Sequence, residues 1–178
     1  MDYLIRKAKL DDRAGIKELI ALSARGLSPD YSAEQVEGAL LGAFGVDTQL
    51  IEDGTYFVAE ANGQLVGCGG WSKRKTLFGG DPHTARDAGL LDPATEPAKI
   101  RAFFIHPAWA RQGIARAILE RCEAEARASG FHSLELMATL PGVRLYAACG
   151  YTGMERVNYK LPSGLVIEFV PMNKVLKP

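Results

Sequence analysis

The feature that most constrains this chain is an apolar strand that runs into a short glycine loop and then a long amphipathic helix. Residues 100–105 are apolar except for Arg101, His106-Pro107 follows, and Gly113 opens the helix. Backbone N–H groups at a helix start have no partner within the helix, and the helix dipole favours negative charge there. The segment therefore predicts a strand–loop–helix unit that binds a phosphate or pyrophosphate.

The loop resembles the acyl-CoA-binding motif of the GNAT superfamily of N-acyltransferases, whose pattern is Gln/Arg-x-x-Gly-x-Gly/Ala. The last positions of the pattern fit as Gly113, Ile114 and Ala115, whereas the first falls on Ala110, which is a departure. Because backbone amides do most of the binding in this motif, alanine presents the same amide. The alternative interpretation is a helix that opens with glycine only for tight packing, since short glycine motifs are weak by themselves.

A second segment, residues 131–151, resembles the GNAT strand-then-helix pattern that ends Leu/Phe-Tyr-x-x-x-Gly-Phe. The matching positions are Leu145, Tyr146, Gly150 and Tyr151, with tyrosine in place of the final phenylalanine. The family's asparagine, seven residues before its tyrosine, is Thr139 here. Two motifs in the family's order and at its separation make the resemblance strong over residues 99–151 and looser over the rest of the chain.

The resemblance implies an α+β fold with a mixed α/β sheet. The expected architecture is a central, mostly antiparallel, twisted sheet of about seven strands flanked by about four helices, with a splayed pair at strands four and five. A length of 178 residues suits a single domain, here 1–178, which carries a long loop at about 72–98. Loops of this length are usually functional or mobile.

Periodicity and turn residues place the individual elements. An aspartate of Asp11-Asp12 is expected to cap the first helix, and Ser32 with Gln35 forms a capping box for a second helix through Leu41. The predicted strands cover residues 3–8, 55–59, 65–71, 100–105, 132–138, 157–161 and 165–170, and the later helices cover 113–129 and 141–149.

Composition narrows the class of protein and its surroundings. The formal net charge of zero argues against a dedicated nucleic-acid binder. No apolar run approaches the ~20 residues that span a membrane, and the first residues do not form a signal peptide. We therefore expect a cytoplasmic protein with no nucleic-acid or membrane partner, and homodimerisation stays open. The histidines and cysteines have no metal-ligand spacing, so no metal is expected; the cysteines are Cys68, Cys122 and Cys149.

The resemblance implies acetyl-CoA as co-substrate and indicates which residues would bind it. The strand before the loop would bind the pantetheine arm through its backbone, and Arg111 and Arg116 would place positive charge beside the phosphates. The implied cofactor-binding residues are Phe103, Phe104, Ile105, Arg111, Gln112, Gly113, Ile114, Ala115, Arg116, Thr139 and Tyr146.

Catalysis is expected to depend on Tyr146, which the resemblance implies protonates the departing thiolate. An unperturbed tyrosine has a pKa near ~10, above the ~8.5 of a thiol, so the phenol can donate at neutral pH. The alternative is a tyrosine that only packs or binds. Glu135 is the expected base, although a solvated or ion-paired glutamate is an equal interpretation. His83, Asp81, Asp87 and water are the other candidates.

The sequence is compatible with three functions. The first is an N-acetyltransferase that moves an acetyl group from acetyl-CoA to a primary amine of a small molecule or peptide by direct attack. The second is a non-catalytic acyl-CoA-binding sensor on the same fold, and the third, a nucleotide-binding protein, is disfavoured because its fingerprints are missing. The acceptor site is expected near residues 11–42 and 72–98. Candidates to line it are Arg101, Trp71, Arg74 and His83, with surface or packing roles as the alternative.

Overall fold

The computed structural model describes residues 2–81 and 87–178 of the chain. The described residues form seven strands and five α-helices. The strands are β1 (Leu4–Lys7), β2 (Tyr56–Ala61), β3 (Gln64–Ser72), β4 (Ala98–Ile105), β5 (Ser133–Thr139), β6 (Val157–Lys160) and β7 (Val166–Val175). The helices are α1 (Arg13–Gly26), α2 (Ala33–Ala39), α3 (Thr48–Glu52), α4 (Ile114–Ala128) and α5 (Val143–Ala148).

All seven strands belong to one mixed sheet with the order β1-β2-β3-β4-β5-β7-β6. Neighbouring strands are antiparallel except for β4 and β5, which are parallel and pair only at Ala98↔Leu134 and Lys99↔Glu135. Beyond these two positions the strands separate towards their carboxyl ends, because neither supplies the other with further ladder hydrogen bonds. The predicted fold, including the splayed pair at strands four and five, is confirmed.

A β-bulge in β4 lies just beyond the last paired position. Cys68 of β3 pairs with Phe104, but Gly70 pairs with Arg101, so β4 has one residue more than β3 between these pairs. Ala102 in the bulge has a φ of +59°, a conformation that alanine seldom adopts. A bulge bends its strand, and here the bend carries β4 away from β5.

The buried side chains form one core on each face of the sheet. On one face, α4 contributes Ile114, Ile118 and Leu119, and on the other face α1 contributes Ile16 and Leu19. Leu119, which follows Ile118 along the helix, is also almost fully buried. Leu119 is buried because a helix packed on a sheet covers a stripe wider than a single row of residues.

Helix starts differ from the predictions in one detail. The side chain of Ser32 accepts a hydrogen bond from Gln35 N, which confirms the predicted capping box. Asp12 precedes α1 as expected, but its carboxylate does not cap the helix. It accepts hydrogen bonds from Arg6 (2.8 and 2.9 Å) and from Lys9 N (2.7 Å) instead. The helix begins after a 3-10 turn over Leu10–Asp12 because this side chain is already engaged.

Two features of the chain between α2 and β4 were not predicted. The short helix α3 is preceded by Asp47, whose Oδ1 accepts a hydrogen bond from Leu50 N at 3.4 Å. The two ends of the long loop are tied together, since Arg74 bridges to Leu90 and also forms an ion pair with Asp53 at 2.7 Å. No helix in the described ranges is long and apolar enough to cross a membrane.

Candidate active site

The splay between β4 and β5 opens a cleft of about 580 Å³. Its walls come from β4, the loop before α4, the end of β5, α5 and the last turn of α1. The predicted site residues that line it are Phe103, Phe104, Ile105, Arg111, Gly113, Ile114, Ala115, Arg116, Thr139 and Tyr146. Gln112 and Glu135 are not part of its lining.

The loop before α4 has the geometry of an anion site. Arg111 and Gly113 have φ values of +62° and +83°, so the chain turns sharply before the helix. The first hydrogen bond at the start of α4 runs from Ala117 N to Gly113 O at 3.0 Å. The amides of residues 114–116 therefore precede the helix ladder, at the positive end of a 15-residue helix.

Three cationic side chains surround this loop. Arg111 and Arg116 line the cleft as predicted, and Arg144 of α5 lines it as well. Arg144 was missed by the sequence reasoning, although it lies two residues before Tyr146 and points from the same short helix. Together the amides and guanidinium groups suit a ligand that carries several phosphate charges.

The free edge of β4 supplies the backbone of the cleft. Phe104 and Ile105 pair with β3 on one side only, and Phe103 lies in the bulge. The other edge of this segment faces the splay, because β5 pairs only with Ala98 and Lys99. The N–H of Ile105 donates a hydrogen bond to Ser23 Oγ at 3.1 Å, so this donor is already engaged by the protein. The sequence did not predict Ser23 of α1 as a site residue. The other backbone groups on this edge of β4 remain available to a ligand.

Phe103 lies against the sheet because Gly69 has no side chain. A Cβ at Gly69 would be 2.7 Å from the Phe103 ring, a separation that real Cβ atoms do not adopt. The Phe103 ring then meets Tyr146 edge-on, with centroids 6.2 Å apart and planes at 76°. Gly69 therefore positions the residue that flanks the candidate general acid.

Tyr146 is buried, with 8% of its surface exposed, and it lines the cleft. Burial raises the pKa of its phenol, because the phenolate would lose its water. No hydrogen bond joins its hydroxyl to another residue in the described part of the chain. The phenol is therefore held protonated with its proton available to a ligand.

Gly142 keeps a gap between Thr139 and Tyr146. A methyl group at Gly142 would lie 3.1 Å from Thr139 Oγ1 and 3.3 Å from Tyr146 Cε2. Both neighbours line the cleft, so a side chain at this position would enter the space beside the phenol. The predicted cofactor-binding residue Thr139 is thus brought next to the predicted acid.

Glu135 lies at the paired end of the splay. Its carboxylate forms an ion pair with Lys99, the residue opposite it on β4. Glu135 precedes Thr139 by four residues, which is about 13 Å along an extended strand. The structure therefore does not bring Glu135 to Tyr146.

The other predicted bases are not brought to the cleft either. Asp81 accepts two hydrogen bonds from Thr48, at 2.8 and 2.5 Å, and Asp87 accepts one from Gly89 N at 2.9 Å. His83 lies outside the described residues. Among the described residues that line the cleft there is no aspartate, glutamate or histidine, which favours water as the proton acceptor.

A smaller pocket of about 70 Å³ adjoins the cleft. Phe103, Phe104, Thr139 and Tyr146 line both spaces, so Tyr146 stands at their junction. The walls of the smaller pocket are otherwise mainly apolar. They include Phe44, Leu77, Phe78, Leu136, Met137 and Phe169.

Of the predicted acceptor-site residues that the structure describes, only Arg101 lines this smaller pocket. Trp71 is buried and donates a hydrogen bond to Glu125 at 2.9 Å, so it packs within the core. Arg74 forms its ion pair with Asp53 outside the pocket. Phe44, which lines both the pocket and the cleft, was missed; a lone aromatic in the stretch Gly42-Ala-Phe-Gly45 was its only sequence signal.

Comparison with known proteins agrees with this geometry. The family model described as "Acetyltransferase (GNAT) family" matches residues 17–151. A comparison with curated proteins finds no match.

Solved structures share the fold at low sequence identity. A GCN5-related N-acetyltransferase from Rhodopseudomonas palustris has a TM-score of 0.72 and 19% identity, covering 99% of this chain and 97% of that one. The PaiA N-acetyltransferase from Thermoplasma acidophilum, in complex with coenzyme A, has a TM-score of 0.66 and 14% identity, covering 99% and 100%. YncA from Salmonella typhimurium, with acetyl-CoA, has a TM-score of 0.64 and 19% identity, covering 100% and 96%.

The structural likeness establishes the fold, and the family model covers most of the sequence, including both motifs. The chain therefore belongs to the GNAT family of acetyltransferases.

Proposed function

We propose that this GNAT acetyltransferase transfers an acetyl group from acetyl-CoA to a primary amine of a small molecule or peptide by direct attack. The observation that carries the proposal is the position of Tyr146, at the junction of the cleft and the smaller apolar pocket. One space suits the donor and the other suits the acceptor, so the two reactants would meet at this phenol.

The residues that line the cleft suit acetyl-CoA. The amides of residues 114–116 and the guanidinium groups of Arg111, Arg116 and Arg144 line the cleft and would bind the phosphates. The free edge at Phe103 and Phe104 would bind the pantetheine arm and the thioester carbonyl. Two similar structures hold coenzyme A or acetyl-CoA, which supports the choice of ligand.

In the proposed reaction the amine nitrogen forms a bond to the acetyl carbonyl carbon, and the bond from that carbon to sulfur breaks. A backbone N–H on the free edge of β4 stabilises the negative charge that develops on the carbonyl oxygen. Tyr146 donates its proton to the departing sulfur, which yields free coenzyme A. Water accepts the proton lost by the amine, because no aspartate, glutamate or histidine is among the described cleft-lining residues.

The test is turnover by the purified protein with acetyl-CoA and a panel of amines. The panel should contain free amino acids, aryl-alkyl amines, polyamines and peptides, with release of the free thiol and the mass of the product as readouts. Acetylation of at least one amine, with a much lower rate in Tyr146→Phe, is the expected result. Cytoplasmic location, independence from metal and the oligomeric state remain predictions.

A second function, the acyl-CoA-binding sensor, is favoured by one observation: the described lining of the cleft has no dedicated base. A sensor would bind acetyl-CoA and melt at a higher temperature with it, but would acetylate nothing in the panel. Binding without turnover would therefore replace the first proposal by the second.

A further inference from the structure

A second groove, of about 500 Å³, runs along the outer side of α1 and will be called the α1 groove. Its floor is apolar, and its far wall comes mainly from the chain between α2 and α3. The apolar residues that line it are Ala14, Ile20, Ala21, Leu40, Phe44 and Val46. A groove of this composition would bind the apolar body of a ligand.

One end of the α1 groove carries unbalanced positive charge. Arg13 and Lys17 lie one turn apart on α1, both exposed, and neither forms an ion pair with another described residue. Arg25, at the other end, is engaged by the exposed Glu37 at 2.7 and 3.1 Å. Residues four apart on a helix have neighbouring side chains, so Arg13 and Lys17 can reach one anionic group together.

The only described carboxylate that lines the α1 groove carries one negative charge against the two positive charges of Arg13 and Lys17. Asp81 stands on the opposite wall and accepts hydrogen bonds from both the N–H and the hydroxyl of Thr48. The end at Arg13 and Lys17 therefore favours an anion.

The α1 groove adjoins the proposed acetyl-transfer site. Phe44 lines the groove, the cleft and the smaller pocket, and Gly45 lines the groove and the smaller pocket. The Phe44 ring contacts Phe104 edge-on at 5.8 Å, beside the splay. The buried ring of Phe44 is thus the single side chain that stands between a ligand in the groove and the reaction centre.

The helix sets the length that such a ligand must have. Lys17 lies at the cationic end of the groove, whereas Ser23 and Ala24 line the cleft. Six or seven residues of α-helix span about 10 Å. An acceptor whose anionic group lies at Lys17 and whose amine reaches beyond the cleft end of α1 therefore needs an apolar spacer of about 10 Å or more between the two groups.

We propose that the acceptor is a primary amine joined through an apolar spacer to a distal anionic group, a carboxylate or a phosphate, which Arg13 and Lys17 bind. This proposal rests on the proposed acetyl transfer, since it describes the substrate of the same site. An α-amino acid with no other anion does not meet it, because its carboxylate lies beside the amine.

The test measures binding without turnover, on protein saturated with coenzyme A. The anionic probes are the N-acetyl derivatives of 4-(2-aminoethyl)benzoate and O-phosphotyramine. Calorimetry compares the first with N-acetylated 4-(2-aminoethyl)benzamide and the second with N-acetylated tyramine, which are their neutral partners. The double variant R13Q/K17Q is compared with K73Q/R121Q, which removes the same charge from exposed positions outside the α1 groove.

We expect at least one anionic probe to bind about three- to tenfold more tightly than its neutral partner, the value of one or two exposed charge contacts. R13Q/K17Q should abolish this preference, and K73Q/R121Q should keep it. The pair that discriminates identifies the anion as carboxylate or phosphate.

Three results would overturn the proposal: equal affinity for both members of each pair, the same loss in both double variants, or weaker binding of coenzyme A itself in R13Q/K17Q. The last would mean that these cations serve the donor. Failure of the proposed function would instead appear as no acetylation of any amine. The binding preferences are measured without turnover, so the two failures can be distinguished.

Discussion

The carboxylate of Asp47 and the guanidinium of Arg101 form an ion pair inside the protein, with side-chain exposures of 0% and 1%. Arg101 also donates a hydrogen bond to Gly79 O at 2.9 Å. Since Arg101 directly precedes Ala102 in the bulge of β4, this pair ties the start of α3 and the long loop to the splayed strand. Asp47 and Arg101 thereby fix the walls of the smaller pocket next to Tyr146.

Arg101→Met should destabilise the fold by about 3–5 kcal/mol, because it leaves the buried charge of Asp47 without its partner. The double variant D47L/R101M should recover much of this loss, since it removes both charges. Denaturant unfolding measures the free energies. Arg25→Met, which breaks the exposed pair with Glu37, is the control and should change stability little. Equal losses in the two single variants would contradict the structural role of the buried pair.

Tyr146→Phe should lower kcat by about ten- to a thousandfold, the range for one general acid, while the affinity for acetyl-CoA changes little. The hydroxyl acts mainly when the thiolate departs, so its loss affects the transition state more than binding. Tyr151→Phe is the matched control, because Tyr151 is buried nearby but donates its hydrogen bond to Glu123 at 3.0 Å. Steady-state kinetics and calorimetry provide the readouts. An unchanged kcat in Tyr146→Phe would make it a packing residue.

Gly113→Asp should abolish the rise in melting temperature that acetyl-CoA produces. A ligand that binds only the folded protein and is present at a hundred times its Kd raises the free energy of unfolding by about 2.7 kcal/mol. The carboxylate would stand beside the phosphates, and the positive φ adds strain to any side chain. Gly164→Asp has a similar φ of +91° and equally open surroundings, but lies outside the cleft. This control should lose stability yet keep the ligand-induced shift; a full shift in Gly113→Asp would refute the anion site.

Acid should weaken the fold partly through Asp53. The Arg74 guanidinium lowers the pKa of this carboxyl below its unfolded value, so the stabilisation is present above about pH 4 and is lost as pH falls through the folded pKa. Asp53→Asn should therefore destabilise the protein at pH 7 more than at pH 3. Arg74→Gln should show the same trend, because it removes the cause of the shift. Urea unfolding at both pH values measures this, and parallel losses at the two pH values would argue against it.

Phe78→Ala should raise the KM of the amine acceptor and leave acetyl-CoA binding nearly unchanged. Phe78 lines the smaller pocket and packs on Tyr159 and Phe169, with ring centroids 5.0 and 5.6 Å away. Leu90→Ala, an exposed position in the same long loop, is the control and should alter neither constant. A loss of acetyl-CoA affinity in Phe78→Ala would place the loop at the donor site instead.

Most of the fold and of the candidate donor site could be predicted from local sequence patterns. The strand, glycine loop and helix around Gly113 are contiguous in sequence, and their chemistry depends on backbone amides that lie within a few residues of one another. The capping box at Ser32 and the position of Tyr146 behind its own strand are local in the same sense. Such features are predictable because neighbouring residues alone determine their geometry.

Features that depend on partners distant in sequence were decided by the tertiary structure. The register of β4 against β5 places Glu135 opposite Lys99 rather than beside Tyr146, and no local pattern encodes that pairing. The contact of Asp47 with Arg101 joins residues on separate elements, as does the α1 groove that ends at Phe44. The sequence by itself determined the strand, glycine loop and helix start that we propose bind the phosphates of acetyl-CoA. The packing of distant elements decided which side chains and pockets surround that loop.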